Sequence, residues 1–323
     1  MSSSVPATPD APSTRDLAHV ALLYDTEDDY AAVVTRFLRG AVEDGRAALA
    51  AVPPGRITLL RDTLGPDAAR VEFADMTEVG RNPAWIIPRV LTFTGKNRDQ
   101  RVRYVGEPIW AERGAAELRE ATRHESLINL ALADADADIL CPYDVRALTP
   151  EVVADAARTH PLLLSGGRLD ASPGYTGPLT VPVSCDRPLP SPPHDAMPFI
   201  YRSDLRAVRI FVREHAAAAG LTEARANDLV LAVSEVAANT LRHTQSHGTL
   251  WIWYDTDEIV CEVRDDGVIS DPLAGRRPPG LDSDGGHGLW LVNQLCDLVE
   301  LRSGSDGTMI RMHMAIRPPR RLD

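Results

Sequence analysis

From His19 onward the chain alternates short apolar runs with amphipathic stretches. HVALLYD is followed by an amphipathic stretch from Glu27 to Asp44, AALAAVP by another from Pro54 to Leu64, and VEFAD by a helical segment around Pro83–Phe93. RVRYVGEP, a long helix near Ala115–Ala133, DILCPYD, a helix from Pro150 to Arg158 and PLLL continue the series. Apolar runs of strand length that are separated by helices predict a mainly parallel sheet covered on both faces. The expectation is an α/β domain over residues 17–165.

The pattern then changes. Residues 166–195 are rich in Pro, Gly and Ser, a composition that blocks helices and marks a linker, within which LTVPV could form an edge strand. Beyond it come a helix from Asp204 to Ala219 stopped by Gly220, a helix from Glu223 to His243, strands TLWIWYD and IVCEVRDD, and a Gly/Pro/Asp-rich loop. A helix Leu289–Leu295 and strands LVELRS and TMIRMHM complete residues 196–318, an α+β domain with a largely antiparallel sheet. Residues 1–16, small, polar and Pro-containing, carry too little apolar surface to offset the entropy of ordering and are expected to be a disordered tail.

The 323-residue length suits two domains that each bury a core. A formal charge of −12 repels phosphate backbones and anionic lipid, and no basic patch offsets it, so direct nucleic-acid binding is not expected. No apolar stretch approaches the roughly 20 residues of a membrane span, and the N-terminal segment lacks a signal pattern, so the expected location is the cytoplasm. The four cysteines, Cys141, Cys185, Cys261 and Cys296, make no pair of metal-ligand spacing and are expected to be free thiols.

The candidate chemistry lies in the second domain. In SEVAANTLRHT the residues Leu229, Val233, Val236 and Thr240 recur at helical spacing and form one buried stripe, whereas Glu235 and Asn239, four apart, share another. A carboxylate and a carboxamide so placed can address one Mg²⁺ and its waters. Asp265-Asp266-Gly267 ends a strand, where an Asp can accept from an exocyclic amine such as adenine N6. Gly285, Gly286 and Gly288 precede a helix start, where backbone N–H groups can meet phosphate. Gly307-Thr308 opens the final strand and can cap the pocket with a hydroxyl. Each element alone also fits a solvated helix face, a turn or a flexible loop; their order and spacing carry the reading.

That order, a helix with E-x-x-x-N, a strand with D-x-G, a loop with G-x-G before a helix, and a strand with G-T, resembles the GHKL (Bergerat-fold) ATPase superfamily, and within it the anti-sigma factor serine kinases of bacteria. The resemblance implies ATP and Mg²⁺ as cofactors, with Asn239 as the Mg²⁺ ligand, Glu235 as catalytic base, Asp265 as adenine contact, and Gly267, Gly286, Gly288 and Thr308 in the nucleotide pocket. It also implies a sigma factor or an anti-anti-sigma (STAS-type) protein as partner, phosphorylated on Ser or Thr, with a homodimer open. The family's D-x-G-x-G reads here Asp265-Asp266-Gly267-Val268-Ile269, so Ile269 replaces the second glycine. Loop 270–285 is the expected lid, with Arg276 or Arg277 in reach of phosphate. An ATP-binding switch without kinase activity is one alternative. A sensor histidine kinase with His215 as phosphoacceptor is another, although His215 falls on the domain's own first helix and the Pro-rich linker leaves no room for a hairpin.

The first domain has neither a P-loop, since Gly95-Lys96 lacks the flanking residues, nor a GxGxxG after its first strand. RHESLINLAL followed by DILCPYD, together with the opening HVALLYD, resembles the MEDS sensory domain, which implies a RecA-like fold and a small-molecule ligand. The candidate ligand contacts are His19, Tyr24, His124, Glu125, Asn129, Cys141 and Tyr143, expected to share one cleft. HExxH is absent because Ile128 stands where its second His would be, so no zinc is expected.

Overall fold

The computed structural model describes residues 17–180, 189–244, 246–279 and 287–317. The expectations for residues 1–16, Cys185, Gly285 and Gly286, and most of LTVPV, lie outside these residues.

The first domain is built on β1 (Ala18–Tyr24), β2 (Ala48–Val52), β3 (Val71–Asp75), β4 (Val102–Gly106), β5 (Ala137–Asp144), β6 (Leu162–Ser165) and β7 (Arg168–Ala171). They form one sheet in the order β3-β2-β4-β5-β1-β6-β7, parallel except for the last pair. Helices α1 (Glu27–Glu43), α2 (Pro54–Leu64), α3 (Met76–Val79), α4 (Ile86–Lys96), α5 (Ala115–Ala131) and α6 (Pro150–Thr159) connect the strands. Most residues of the inner strands face one of two cores. Leu22, Ala48, Ala50, Val52 and Leu140 pack with α1 and α2, while Ala21, Leu49, Ala51, Ile139 and Cys141 pack on the side of α4 and α5. That two-sided burial is why these strands read as continuous apolar runs.

β7 falls inside the stretch expected to be linker. Gly166 and Gly167, with φ of 54° and 75°, make the two-residue turn between β6 and β7, and Ser165 pairs with Arg168 across it. A turn with positive φ at both central residues matches the twist of a hairpin, and glycine enters it without strain.

The second domain has β8 (Met197–Tyr201), α7 (Leu205–Ala218), α8 (Glu223–His243), β9 (Gly248–Asp255), β10 (Glu258–Asp265), α9 (His287–Leu295), β11 (Leu298–Gly304) and β12 (Gly307–Ala315). The sheet order is β11-β12-β10-β9-β8, antiparallel throughout. Asp204 and Thr222 cap α7 and α8 by accepting backbone N–H bonds. Ile259, Cys261, Val263, Ile310, Met312 and Met314 alternate onto the helical face with Leu229, Val233 and Val236. The expected stripe on α8 is therefore the one that enters the core.

The opposite face of this sheet is polar yet buried. Glu262 and Glu300 are fully buried and Arg302, Arg311 and His313 nearly so, because α5 of the first domain and the segment at Leu189–Pro190 lie over them. Arg311 pairs with Glu262 at 2.5 Å, His313 bridges Glu258 and Glu300, and Arg119 of α5 reaches Glu300 at 2.8 Å. α5 is consequently enclosed on every side from Glu120 to Asn129. Ala121 and Ile128 meet the parallel sheet, and Leu127 meets Leu273 of the second domain.

Candidate functional site

α8 places Glu235 and Asn239 on the wall of a cavity of about 690 Å³, lined also by Asp265, Gly267, Ile269, His287, Gly288 and Thr308. All the nucleotide-pocket candidates among the described residues therefore come together. A Cβ on Gly288 would stand 3.1 Å from Asn239 Nδ2 and 3.2 Å from Glu235 Oε2. The first turn of α9 thus approaches the E-x-x-x-N pair as closely as a residue without a side chain permits. Glu235 Oε2 and the carboxamide of Asn239, whose oxygen lies 3.7 Å from that Cβ position and accepts from Arg242 at 3.3 Å, stand beside a helix start; oxygen donors so placed suit a hard cation with phosphate, so the residues fit Mg-ATP.

Asp265 is held in place by its neighbours. The Gly267 N–H donates to its Oδ1 at 2.8 Å, and the Thr240 hydroxyl donates to its Oδ2 at 2.6 Å. The Tyr201 hydroxyl in turn donates to Thr240 at 3.0 Å; burial raises that phenol to about 12, which keeps it a donor. Thr240 was expected as a member of the apolar stripe, and its buried position is as expected. Its hydroxyl adds an orienting bond that apolar periodicity cannot reveal.

Thr308 donates to Gly267 O at 2.8 Å and shares a bond with Ser303, whose hydroxyl accepts from the Ile269 N–H at 2.7 Å. The Ile269 side chain packs toward the core. The loop backbone is thus pinned without the second glycine. Gly307, at φ 98°, passes so close over Asp265 O that no Cβ fits.

The loop expected as a lid leans on the first domain. Arg276 is buried and donates to Glu120 of α5 at 2.5 Å; Arg302 of β11 holds the other oxygen of Glu120 at 2.6 Å. Burial lowers the Arg276 guanidinium to about 10 against the opposing pull of Glu120. Arg276 therefore faces a carboxylate of α5 and not a phosphate position, while Arg277 reaches the Leu130 carbonyl. Asn293 of α9 donates to the carbonyls of Gly275 and Leu289 and accepts from Asn82, and its carbonyl also accepts from Trp85 Nε1. None of these cross-domain partners has a sequence signature.

His215 lies on α7, its Nδ1 2.7 Å from the Phe211 carbonyl and its Nε2 3.0 Å from the Met197 sulfur. Both ring nitrogens face packing partners rather than a nucleotide.

In the first domain the seven ligand candidates do not share one cleft. His19, Cys141 and Tyr143 occupy strand positions that face α5, whereas Tyr24 faces the other way, as period-two alternation along β1 requires. His19 Nε2 lies 3.3 Å from Glu125 Oε2 and 3.4 Å from Cys141 Sγ, and Asn129 Oδ1 is 3.0 Å from His19 Nδ1. His160, which follows α6 and was not singled out from the sequence, joins them with Nε2 3.4 Å from Glu125 Oε2. Tyr143 packs edge-on against His160. His124 is buried apart from this group, and burial lowers its imidazole to about 3.

Tyr24 instead lines a cavity of about 510 Å³ with Arg56, Glu107, Trp110 and Asp144 at the carboxyl ends of the strands. Burial raises the Glu107 carboxyl to about 8, with Arg56 opposing. Arg56 and Glu107 went unrecognised because an Arg after Pro-Gly and a Glu after a strand carry no pattern of their own. Among the described residues no helix is long and apolar enough to cross a membrane.

Residues 18–161 match the family model described as MEDS, the methanogen/methylotroph, DcmR sensory domain, and residues 202–314 match that of the histidine kinase-like ATPase domain. No curated protein matches. A solved structure of the RsbU and RsbW domains of a Mycobacterium tuberculosis protein is 21% identical over 39% of this chain and 35% of its own, with a TM-score of 0.29. The match spans about a third of that solved chain.

Proposed function

We propose, from the match of residues 18–161 to the model of the MEDS sensory domain and of residues 202–314 to that of the histidine kinase-like ATPase domain, that the chain is a signal-responsive regulator of the anti-sigma type that binds Mg-ATP under the control of its N-terminal domain. The observation that carries this reading is the convergence of Glu235, Asn239, Asp265, Gly267, Gly288 and Thr308 on one cavity.

Bound Mg-ATP supplies a transferable γ-phosphoryl group whose charge the metal neutralises. Asn239 would offer its carbonyl oxygen to the Mg²⁺, and the backbone at Gly288 would receive phosphate. Asp265, its carboxylate oriented by Thr240 and the Gly267 N–H, accepts from the adenine amine. Glu235 would take the proton of a partner's Ser or Thr hydroxyl as that oxygen bonds the γ-phosphorus and the bond to the β-phosphate oxygen breaks, with ADP leaving; positioning does the rest of the work. The partner in this reading is an anti-anti-sigma protein of STAS type, and the same domain holds a sigma factor.

Control runs through α5 and the loop at 271–277. Glu120 fixes Arg276, and Asn82 and Trp85 fix Asn293 on the helix whose first turn borders the nucleotide cavity. A ligand that shifts α5 therefore has a path of direct contacts to the loop. The commitment of Arg276 to Glu120 favours a second reading, in which ATP is held without transfer until the sensor lets go.

Titration calorimetry with Mg-ATP on the full chain tests the binding step. Saturable binding that Asn239→Ala abolishes is expected; no binding to the wild-type chain overturns the reading. Glu235→Ala should then abolish phosphate transfer to the partner and leave partner binding intact, whereas a wild-type chain that binds ATP and partner but never transfers phosphate is the switch.

A further inference from the structure

We propose that the first domain contains a buried, four-coordinate site for a divalent transition-metal ion, formed by His19, Glu125, Cys141 and His160, with zinc as its best-fitting occupant. The ligand atoms come from β1, α5, β5 and the residue after α6, and all lie within 4.8 Å of one another. Four of their mutual distances are short: 3.3 Å from His19 Nε2 to Glu125 Oε2, and 3.4 Å each for His160 Nε2 to Glu125 Oε2, His19 Nε2 to Cys141 Sγ, and Cys141 Sγ to Glu125 Oε2. Around an ion with bonds of about 2.0–2.3 Å, tetrahedral ligand atoms stand roughly 3.3–3.8 Å apart. The side chains already sit near the edges of such a tetrahedron.

The surrounding bonds set the tautomers. His19 Nδ1 faces Asn129 Oδ1 at 3.0 Å, whose amide nitrogen is committed as donor to the Glu125, Ser126 and Thr159 carbonyls. His160 Nδ1 faces the Ala156 carbonyl at 2.9 Å. Each ring therefore carries its proton on Nδ1 and turns the Nε2 lone pair toward the centre, the arrangement in which an outer oxygen orients a metal-binding imidazole. Two imidazole lone pairs, a carboxylate and a sulfur thus converge where little but a cation satisfies them all.

Two atoms show the same deficit. His160 Nε2, one of the converging atoms, and Glu125 Oε1, the other oxygen of the converging carboxylate, are buried without a hydrogen-bond partner among the described residues, in a group whose members are all fully or nearly fully buried. Buried polar atoms are nearly always paired, so this pair of orphans points to a missing partner.

Charge balance agrees. A divalent ion with a carboxylate, a thiolate and two neutral imidazoles sums to zero, which suits burial; the single proton displaced is that of the Cys141 thiol, released to solvent. Nitrogen and sulfur donors select a borderline-soft ion over Mg²⁺ or Ca²⁺. All four positions are filled by protein, so the ion has a structural or sensory role and not a catalytic one.

This inference stands apart from the nucleotide reading. The test is a Co²⁺ titration of the full chain, stripped with chelator and kept reduced, without nucleotide. The expected result is one equivalent of Co²⁺ with the intense visible absorption of a four-coordinate ion and a thiolate charge-transfer band, both removed by Zn²⁺. Cys141→Ser should lose the charge-transfer band, and His160→Gln should weaken binding about tenfold or more. Only the weak spectrum of six-coordinate Co²⁺ in the wild-type chain, or a charge-transfer band unchanged in Cys141→Ser, would overturn the site.

Discussion

Glu120 on α5 and Arg276 in the loop beside the cavity of Glu235 and Asn239 form a buried ion pair at 2.5 Å, with Arg302 closing it from the other side. Removing the charge of Glu120 leaves the buried Arg276 guanidinium without its counter-ion and takes one carboxylate from Arg302, which also lies 4.0 Å from Glu300, a change that typically costs about 3–5 kcal/mol. Glu120→Gln is therefore expected to lower the melting temperature and raise amide exchange at 270–279. It should also change Mg-ATP affinity, since Ser270 and Asp271 of the same loop line the cavity. Exchange and affinity both unchanged would separate the pair from control of the pocket.

The hydroxyl of Thr240 orients Asp265 from the core side of α8. Thr240→Val keeps the shape and deletes the hydroxyl that donates to Asp265 and accepts from Tyr201, each bond a net effect of about 0.5–1.5 kcal/mol. Mg-ATP should bind roughly two- to tenfold more weakly with the Kd for a partner protein unaltered. An unchanged nucleotide affinity in calorimetry would show that Asp265 needs no such support.

How far the sequence carries is visible at these positions. Continuous apolar runs such as ALAAV announce a strand buried on both faces, and the E-x-x-x-N, D-x-G and G-T signals fall on one cavity because each is local to a strand end or a helix turn. Tyr24 was expected beside His19, yet strand alternation already forbids it. The hairpin turn at Gly166-Gly167 was legible and was absorbed into a Pro-rich stretch. β8 is an edge strand containing Pro198, a residue tolerated at edges and otherwise a mark against strand. His160, Arg276 and Asn293 depend on long-range contacts, which no periodicity encodes.

His313 lies between Glu258 and Glu300 at the domain interface, with Arg119 and Arg311 also facing Glu300. Burial lowers the imidazole, but its bonds to Glu258 and Glu300 outweigh that and raise it from 6.5 to about 9. Burial raises Glu300, and its bonds to His313 and Arg119 prevail, lowering it from 4.5 to about 2. The His313 contribution is complete below its unfolded value of 6.5 and is lost as pH rises through about 9. The Glu300 contribution is complete above 4.5 and is lost as pH falls toward 2. Melting temperature should therefore fall on the alkaline side, and His313→Gln should flatten that limb. A variant with the same alkaline slope as wild type would place the loss elsewhere.

Gly288 separates stability from binding more sharply than any other position. Its φ lies outside the left-handed region, so alanine can take the same backbone, and Gly-to-Ala in a helix stabilises by about 0.5–1 kcal/mol. The added methyl would stand 3.1 Å from Asn239 Nδ2 and 3.2 Å from Glu235 Oε2, inside the space that Mg²⁺ and phosphate need. Gly288→Ala is therefore expected to melt at or above the wild-type temperature while Mg-ATP affinity drops about tenfold or more, since the proposed metal ligand Asn239 and the proposed phosphate approach would both be obstructed. If affinity fell only together with stability, the methyl would be disturbing the helix and not the pocket. If affinity held while the fold was intact, the first turn of α9 would not be where phosphate enters.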